Sequence, residues 1–457
     1  MMQTDHPSPV PTEPALPTTS SHVVGRSDQL ALAFLVACGV LALPLLFASR
    51  LPQALLTVVV LALVLVFIAR AVTTRSPVPR TAVDWPNILL LLLVPVGLWA
   101  STDTATSWPV IYKVIAGFAV FYGLAGLAGT RWLRTLPWLL LLAAAGLALV
   151  VLLGTNWVTA KLPWLPDTIY DLLPRYYLPW RSEGFHPNVA GAAVAWLFLT
   201  ATALAAWGHD RRVRWAAAAA GLLLGLVLLL SQSRGAWLGV AAAWLAMPLV
   251  RYRRWWLALT AAAAVAVAAG LAISLDLVQG LLFPVQAAEE MAVNTLPGRL
   301  ELWTRALIML RDFGLFGIGP GQFEPMVLVL YPPFFTGLQG NFFHAHNLFL
   351  QAAIDFGFMG LVGMVALLLG VGASIVAATQ RWSAIDRTNR PLAALAIGVF
   401  GSLVSFTVHG LVDAPQVAPP SYILLWGLFG AAMAASTQLL AAQTGAEASD
   451  SNDLAQT

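Results

Sequence analysis

The stretch HAHNLFLQAAIDFGFMGLVGMVALLLGVGASIVAAT, residues 344–379, decides how this chain is read. A helix rising about 1.5 Å per residue crosses the roughly 30 Å hydrocarbon core of a bilayer in about 20 residues. The apolar run after Asn347 is too long for one simple crossing, so it predicts a span that begins with a partial helix and bends around Gly357 or Gly360. Ahead of it stand His344, His346 and Asn347, polar groups at the mouth of a membrane span. Polarity is expensive at that depth and tends to be kept for a task.

Outward from this stretch, the 457 residues are 59% hydrophobic and 10% charged, with mean hydropathy +0.79, against about 25% charged residues in a soluble domain. This is the composition of an integral membrane protein. Its runs of Leu, Ala and Val show no period-2 alternation, which favours helices over a barrel. Spans fall near 28–48, 51–69, 86–101, 110–129, 136–154, 188–207, 215–231, 234–250, 256–275, 346–379, 391–411 and 420–441, about twelve crossings of helical length. The single cysteine, Cys38, lies in the first span and offers no disulfide within the chain. Residues 1–26, rich in Pro, Ser and Thr, read as a disordered tail without the features of a cleavable signal. Residues 27–441 form the membrane domain, and 442–457 a second disordered tail.

Basic residues set the orientation. Arginines gather at 75–80, 131–134, 211–214, 251–254 and 381–390, which assigns those turns and both termini to the cytoplasm. The two long loops, 155–187 and 276–345, then lie outside, at the periplasmic face in a two-membrane bacterium.

Those loops and turns carry the candidate chemistry. Pro297-Gly298-Arg299-Leu300-Glu301-Leu302-Trp303 opens an amphipathic, helix-like stretch through Arg311. It is followed by Gly317-Ile318-Gly319-Pro320-Gly321-Gln322-Phe323. The glycines invite comparison with a nucleotide loop, but no strand precedes them and Pro320 interrupts them, so a tight turn is the better reading. Ser231-Gln232-Ser233-Arg234-Gly235 is a turn so short that Arg234 must sit at the membrane surface. His186-Pro187-Asn188 precedes the sixth span, where Pro187 suits a helix start.

His346-Asn347, nine residues, Gly357, two residues, Gly360 is one motif in an ordered set. With the Ser-x-Ser-Arg-Gly turn at 231–235, the Gly-Arg-x-x-x-Trp segment at 298–303 and the Gly-x-Gly-x-Gly-x-Phe turn at 317–323, it resembles the O-antigen ligase and polymerase superfamily. The resemblance covers roughly 185–365. It implies an all-α polytopic membrane fold, GT-C-like, with a long and partly helical extracytoplasmic loop between spans nine and ten. It also implies transfer of a glycan from an undecaprenyl-diphosphate donor to an acceptor hydroxyl at the outer face of the bacterial inner membrane. The acceptor is a glycan, a lipid or a protein. Family members are inverting and metal-independent, use no cofactor and consume no nucleotide, and no nucleic-acid partner is implied.

The residue types suit that chemistry. Guanidinium groups bind diphosphate oxygens with paired hydrogen bonds and stay charged, so Arg234 and Arg299, which match the family's arginines, are assigned to the donor diphosphate. An imidazole, with a reference pKa near 6.5, can accept the proton of an attacking hydroxyl, which makes His346 the catalytic candidate, as base or as a group orienting the acceptor. His344, Asn347, Arg305, Arg311 and His186 are supporting candidates. Against these stand blander roles. Arginines anchor span ends, a histidine at a helix start can be a cap, and Trp303 and Phe323 read as packing residues. Asn188, His409 and Asp413 default to structural roles, although His409 and Asp413 can reach the same cavity. No metal is expected, because His344 and His346 at i, i+2 would lie on different faces of a helix and the outer carboxylates are scattered. The rivals are a twelve-helix secondary transporter and a lipid-linked sugar flippase. Both call for ionisable groups within the spans, where Lys113 is nearly the only charge.

Overall fold

The computed structural model describes residues 25–157, 166, 168–173, 184–252, 254, 257, 296–333, 343–414 and 419–456. The long helices are α1 (Arg26–Leu45), α2 (Gln53–Thr74), α3 (Asp84–Ala100), α4 (Thr104–Ala125), α5 (Leu136–Gly154), α6 (Pro187–Trp207), α7 (Arg211–Leu230) and α8 (Arg234–Arg251). After them come α9 (Leu296–Phe313), the short α10 (Phe323–Val329), α11 (Leu348–Thr379), α12 (Arg390–Gly410) and α13 (Pro419–Gln456). Extended pairing among the described residues is limited to an isolated parallel bridge between Thr155 and Phe185.

Nine helices among the described residues are long and apolar enough to cross a membrane, and α3 is a shorter apolar helix. Every expected span has a helix at its position except 256–275, which lies outside the described residues together with the tail before Gly25 and much of the two long loops. At the other end, α13 runs on to Gln456, through the segment read from sequence as a disordered tail. The reason is compositional: Ala, Gln and Glu dominate 441–448, and these are good helix formers that do not end a helix on leaving an apolar stretch.

Helix α12 is the hub, with α6, α8, α11 and α13 packed on it and nearly all of its residues from Leu392 to Gly410 buried. Contact with α8 is close because α8 presents Gly235 and Gly239 one turn apart. A Cβ on Gly239 would stand 2.7 Å from the Ser405 carbonyl oxygen, and one on Gly235 would run into the His409 ring. Small residues at this spacing let two backbones approach, and here they bring the start of α8 to the end of α12.

Helix α11 breaks where its length predicts. Phe356 and Gly357 leave helical geometry, Gly357 with φ +70° and ψ −171°. A broken helix at membrane depth needs other partners for its freed backbone groups. The glycine turn supplies them: the Ile318 N–H donates to the Ile354 carbonyl (2.8 Å), and the Phe358 N–H to the Gly314 carbonyl (2.8 Å). Only glycine fits on either side. A Cβ on Gly357 would meet the Leu315 carbonyl, and one on Gly317 (φ +74°) the Ile354 carbonyl. Gln322 secures the same turn to the start of α4, donating to the Asp103 carbonyl (2.8 Å) and accepting from Thr102 Oγ1 (2.9 Å). The tight-turn reading of 317–323 thus acquires a purpose, which is to brace the break in α11. A small core of Leu302, Ala306, Met309, Phe323, Val327 and Ile354 then seats α9 and α10 on the outer half of α11.

Candidate functional site

The segment before α11 turns back on itself at His346, whose φ of +48° lies in the left-handed region. A residue with a Cβ holds that conformation only where its surroundings over-determine it. They do so here. The His346 N–H donates to His344 Nδ1 (3.1 Å), the Ala345 N–H to Gln351 Oε1 (2.8 Å), and the Trp303 indole N–H to the His346 carbonyl (3.3 Å). Asn347 caps α11 by accepting from the Phe349 and Leu350 N–H groups (3.0 Å each). Its other end donates to the Leu411 carbonyl (2.9 Å) and so draws the turn after α12 alongside.

That turn delivers Asp413. Its Oδ1 accepts from His346 Nδ1 (3.1 Å) and from the Ala414 N–H (2.8 Å). Its Oδ2 accepts from Asn188 Nδ2 (3.4 Å) and lies 3.9 Å from His409 Nε2. Burial pushes the carboxyl up. The hydrogen bond from His346, with the electrostatic coupling to the neighbouring imidazoles, outweighs it and holds Asp413 well below the ordinary carboxylate range. An ionised carboxylate only accepts, so His346 Nδ1 is the donor of this bond, and in the neutral ring the lone pair falls on Nε2. Nε2 is buried and has no hydrogen-bond partner among the described residues. His344 is pushed far below an ordinary imidazole by burial and by His346, with Arg299 and His186 adding to the shift. It is therefore a neutral ring, which accepts through Nδ1 and presents a donor at Nε2.

The two arginines arrive from different elements. Arg234 opens α8 behind the Ser231–Ser233 turn, where Gln232 takes φ +48°. The Gln232 amide donates to the Tyr170 hydroxyl (2.6 Å), which itself donates to the Leu230 carbonyl (2.9 Å). Arg299 lies in the first turn of α9, with Trp303 one turn further on. Arg299 interacts electrostatically with Asp413, His344 and His409, and Arg234 with Arg299. Burial lowers the Arg299 guanidinium from its ordinary range while Asp413 opposes that shift, and its Nε is buried without a hydrogen-bond partner among the described residues. Two guanidiniums, the paired His344 and His346 and one carboxylate thus share a cluster at one end of the bundle.

Residues 218–365 match the O-antigen ligase family. No curated protein matches the chain. The matched stretch contains Arg234, Arg299, Trp303, the glycine turn at 317–323 and His346, and the match supports glycan transfer of the ligase or polymerase type in general. With the apolar helices it marks a multi-pass membrane protein of polysaccharide biosynthesis. Asp413 lies beyond the O-antigen ligase match, as do His186 and His409.

The supporting candidates divide. His186 caps α6, accepting from the Asn188 N–H at Nδ1 (3.2 Å), and adds to the field at His344. Arg305 is turned to Glu301, with Nη2 and Nε donating to one carboxylate oxygen at 2.7 and 2.9 Å. Arg311 is exposed and paired with Asp312 (3.0 Å). Sequence reasoning left Asp413 aside. The signal available was His409-Gly410-Leu411-Val412-Asp413 at a span end, two ionisable groups one helical turn apart in an otherwise apolar region.

The expectation about metals rested in part on helical spacing, and that premise does not hold: 344–346 is non-helical, and its rings lie tilted at 49° to each other with centroids 4.1 Å apart. His344, His346 and Asp413 offer ligand atoms within 4.8 Å of one another, a donor set that Zn²⁺ or Fe²⁺ accepts in general. The Arg299 guanidinium coupled to Asp413 and His344 opposes a dication there, and His346 Nδ1 and His344 Nδ1 are already engaged.

Proposed function

We propose that this protein transfers a glycan from a polyprenyl-diphosphate carrier to an acceptor hydroxyl at the non-cytoplasmic face of the membrane. The observation that carries the reading is His346: its Nδ1 is held by an ionised Asp413, its Nε2 is bare, and Arg299 is coupled to the same carboxylate. A histidine oriented in this way is a general base with a fixed tautomer. The acceptor oxygen attacks the anomeric carbon, the bond from that carbon to the diphosphate oxygen breaks, and the hydroxyl proton passes to His346 Nε2. The diphosphate leaves with one more negative charge than it had in the glycosyl ester. Arg299 and Arg234 therefore stabilise the transition state more than the ground state. Attack from the face opposite the leaving group inverts the anomeric centre.

Orientation follows the positive-inside pattern. At the end of the bundle away from His346, Arg131 pairs with Asp28 (3.8 Å), and the Arg251 guanidinium lies 3.9 Å from the Trp382 ring centroid. We assign that arginine-rich end and both termini to the cytoplasm. The test is reconstitution of purified protein into liposomes with an undecaprenyl-diphosphate glycan and a set of acceptors. Product bearing the glycan supports the proposal, whereas solute uptake or carrier translocation without transfer would replace it with the transporter or flippase reading.

A further inference from the structure

Arg234 follows a turn that its own residues do not favour. Helix α7 ends at Leu230, and its last carbonyls need partners from outside the helix. Val227 and Leu229 find them in the Ser231 and Gln232 N–H groups (3.0 and 3.2 Å), and Leu228 in the Ser231 hydroxyl and the Trp237 indole (2.6 and 3.0 Å). The chain then reverses at Gln232 with φ +48°, the left-handed position after a helix that glycine fills at no steric cost. Gln232 is 2% exposed, and its carboxamide oxygen is buried without a hydrogen-bond partner among the described residues. A glutamine is thus costly here twice over. The offset is at its amide nitrogen, which donates to the Tyr170 hydroxyl, while that hydroxyl donates to the Leu230 carbonyl. Tyr170 belongs to neither helix. It stands on a single helical turn, Thr168–Asp171, in the loop between α5 and α6, and is fully buried beside Trp157. The ends of that loop are pinned where the Asn156 N–H donates to the Phe185 carbonyl (3.0 Å) and the Phe185 N–H to the Gly154 carbonyl (2.8 Å).

We propose that Tyr170 is a positioning residue for Arg234: its hydroxyl holds Gln232 in the left-handed conformation, and that conformation sets where the guanidinium two residues further on stands. The proposal rests on the reading above that gives Arg234 to the leaving diphosphate. The rest of the turn is already confined. A Cβ on Gly191 of α6 would stand 2.7 Å from Ser231 Oγ and 2.8 Å from Ser233 Cβ, and one on Gly235 would run into the His409 ring. With α6 and α12 closed on the residues either side, the freedom left to the turn is rotation at Gln232, and the Tyr170 hydroxyl opposes it. A non-glycine residue in this region relaxes when its surroundings stop over-determining it. A cation that stabilises a transition state works only at the position where the charge develops, so the relaxation is felt in turnover. Tyr170 touches no substrate in this scheme, and the loop between α5 and α6 serves the reaction by carrying the brace of a donor cation.

The test is a set of variants of the full-length protein in liposomes, assayed for transfer from an undecaprenyl-diphosphate glycan. Tyr170→Phe removes one oxygen and keeps the ring. It is expected to lower kcat by about tenfold, a change of about 1.4 kcal/mol, with the acceptor KM within about twofold of wild type. Gln232→Met keeps the volume and removes the amide, and should match Tyr170→Phe; it carries the test if that variant does not fold. Gln232→Gly accepts the left-handed conformation without a brace and should stay within about twofold of wild type. The decisive variant is the double one. Tyr170→Phe with Gln232→Gly should turn over faster than Tyr170→Phe alone, which a residue that only adds stability would not allow. Wild-type kcat in Tyr170→Phe, or a double variant no faster than the single one, overturns the proposal. Hydrogen exchange across 228–237 needs no substrate and separates this result from the donor reading. If Arg234→Ala transfers like wild type, or wild type transfers nothing, the donor assignment falls and exchange decides the brace: faster exchange there in Tyr170→Phe supports it, and unchanged exchange overturns it.

Discussion

Helix α9 carries two sets of charge within seven residues, and they obey opposite rules. Glu301 and Arg305 close on each other, with both side chains only 7% exposed. Arg299, two residues before Glu301, keeps a buried Nε without a partner and shares its field with Asp413, whose own partner His346 keeps a bare Nε2. Buried polar groups are normally satisfied, and an orphan asks for an explanation. The contrast teaches how to tell structure from site on one helix: the first set satisfies its charges within the helix, and the second leaves polar atoms open, as the proposed reaction requires.

The largest expected effect breaks that contrast on the open side. His346→Ala and Arg299→Ala should each lower transfer by about 100-fold or more, the range for a lost general base or a lost transition-state cation, with thermal unfolding close to wild type. Asp413→Asn sharpens the test. A carboxamide can leave the imidazole in the wrong tautomer, so a loss of about 100-fold or more is expected with the geometry intact. Near-wild-type turnover in His346→Ala would remove the base from the mechanism.

On the closed side the effect should appear in stability. Arg305→Ala removes the guanidinium that holds the buried Glu301 carboxylate at 2.7 Å, a loss of about 1 to 3 kcal/mol, read as a lower unfolding midpoint in a thermal or denaturant series. Transfer per folded molecule should stay near wild type. A variant of full stability and lost transfer would move Arg305 into the diphosphate site, as the sequence alone allowed.

A smaller effect separates the two histidines. His344 is depressed in the folded protein to about 3, while in the unfolded chain it titrates near 6.5. Between those values the unfolded chain takes up a proton that the folded protein refuses. The associated stability is therefore complete above about pH 6.5 and is lost as the pH falls toward 3. Asp413 is depressed in the other sense of charge, and its contribution is lost only below its ordinary range near 3.9. His344→Gln should therefore flatten the decline in melting temperature between about pH 6.5 and 4, and leave the steeper acid limb unchanged. A decline identical to wild type would mean that His344 is not held neutral.

Much of this was legible in the chain. The spans follow from apolar run length, and the break in α11 from a run too long for one crossing with Gly357 inside it. Arg234, Arg299 and His346 stood out because local motifs carry them. What escaped is the contact made by packing. Asp413 lies 67 residues beyond His346, and nothing local to either residue says that α12 will end beside the turn before α11. Gly235 and Gly239 carry that information only jointly with His409 and Ser405 across the helix interface. Trp303, read as a packing residue, also donates to the carbonyl of His346, a contact between α9 and the turn before α11 that sequence spacing does not reveal. Lys113 looked like an isolated charge in a span, because its partner Asp355 is more than 200 positions away.

The smallest expected effect concerns a metal. Judged by distance alone, His344, His346 and Asp413 form a ligand set; judged by charge, they sit beside Arg299 and Arg234. Arg299 is coupled to Asp413 and His344, and a guanidinium within a few ångströms of a dication repels it by several kcal/mol at an effective dielectric near 20, against which the single charge of Asp413 is a partial offset. The bare lone pair on His346 Nε2 is also the one the reaction needs, so an ion bound there would remove the base. Dialysis of active protein against a strong chelator should therefore leave transfer within about twofold of untreated protein, and added Zn²⁺ should inhibit by occupying His346. Loss of activity on chelation, with recovery on adding back a divalent ion and not on adding a monovalent one, would reverse the roles. Asp413 would then be a metal ligand, and the arginines would serve the diphosphate from outside the coordination sphere.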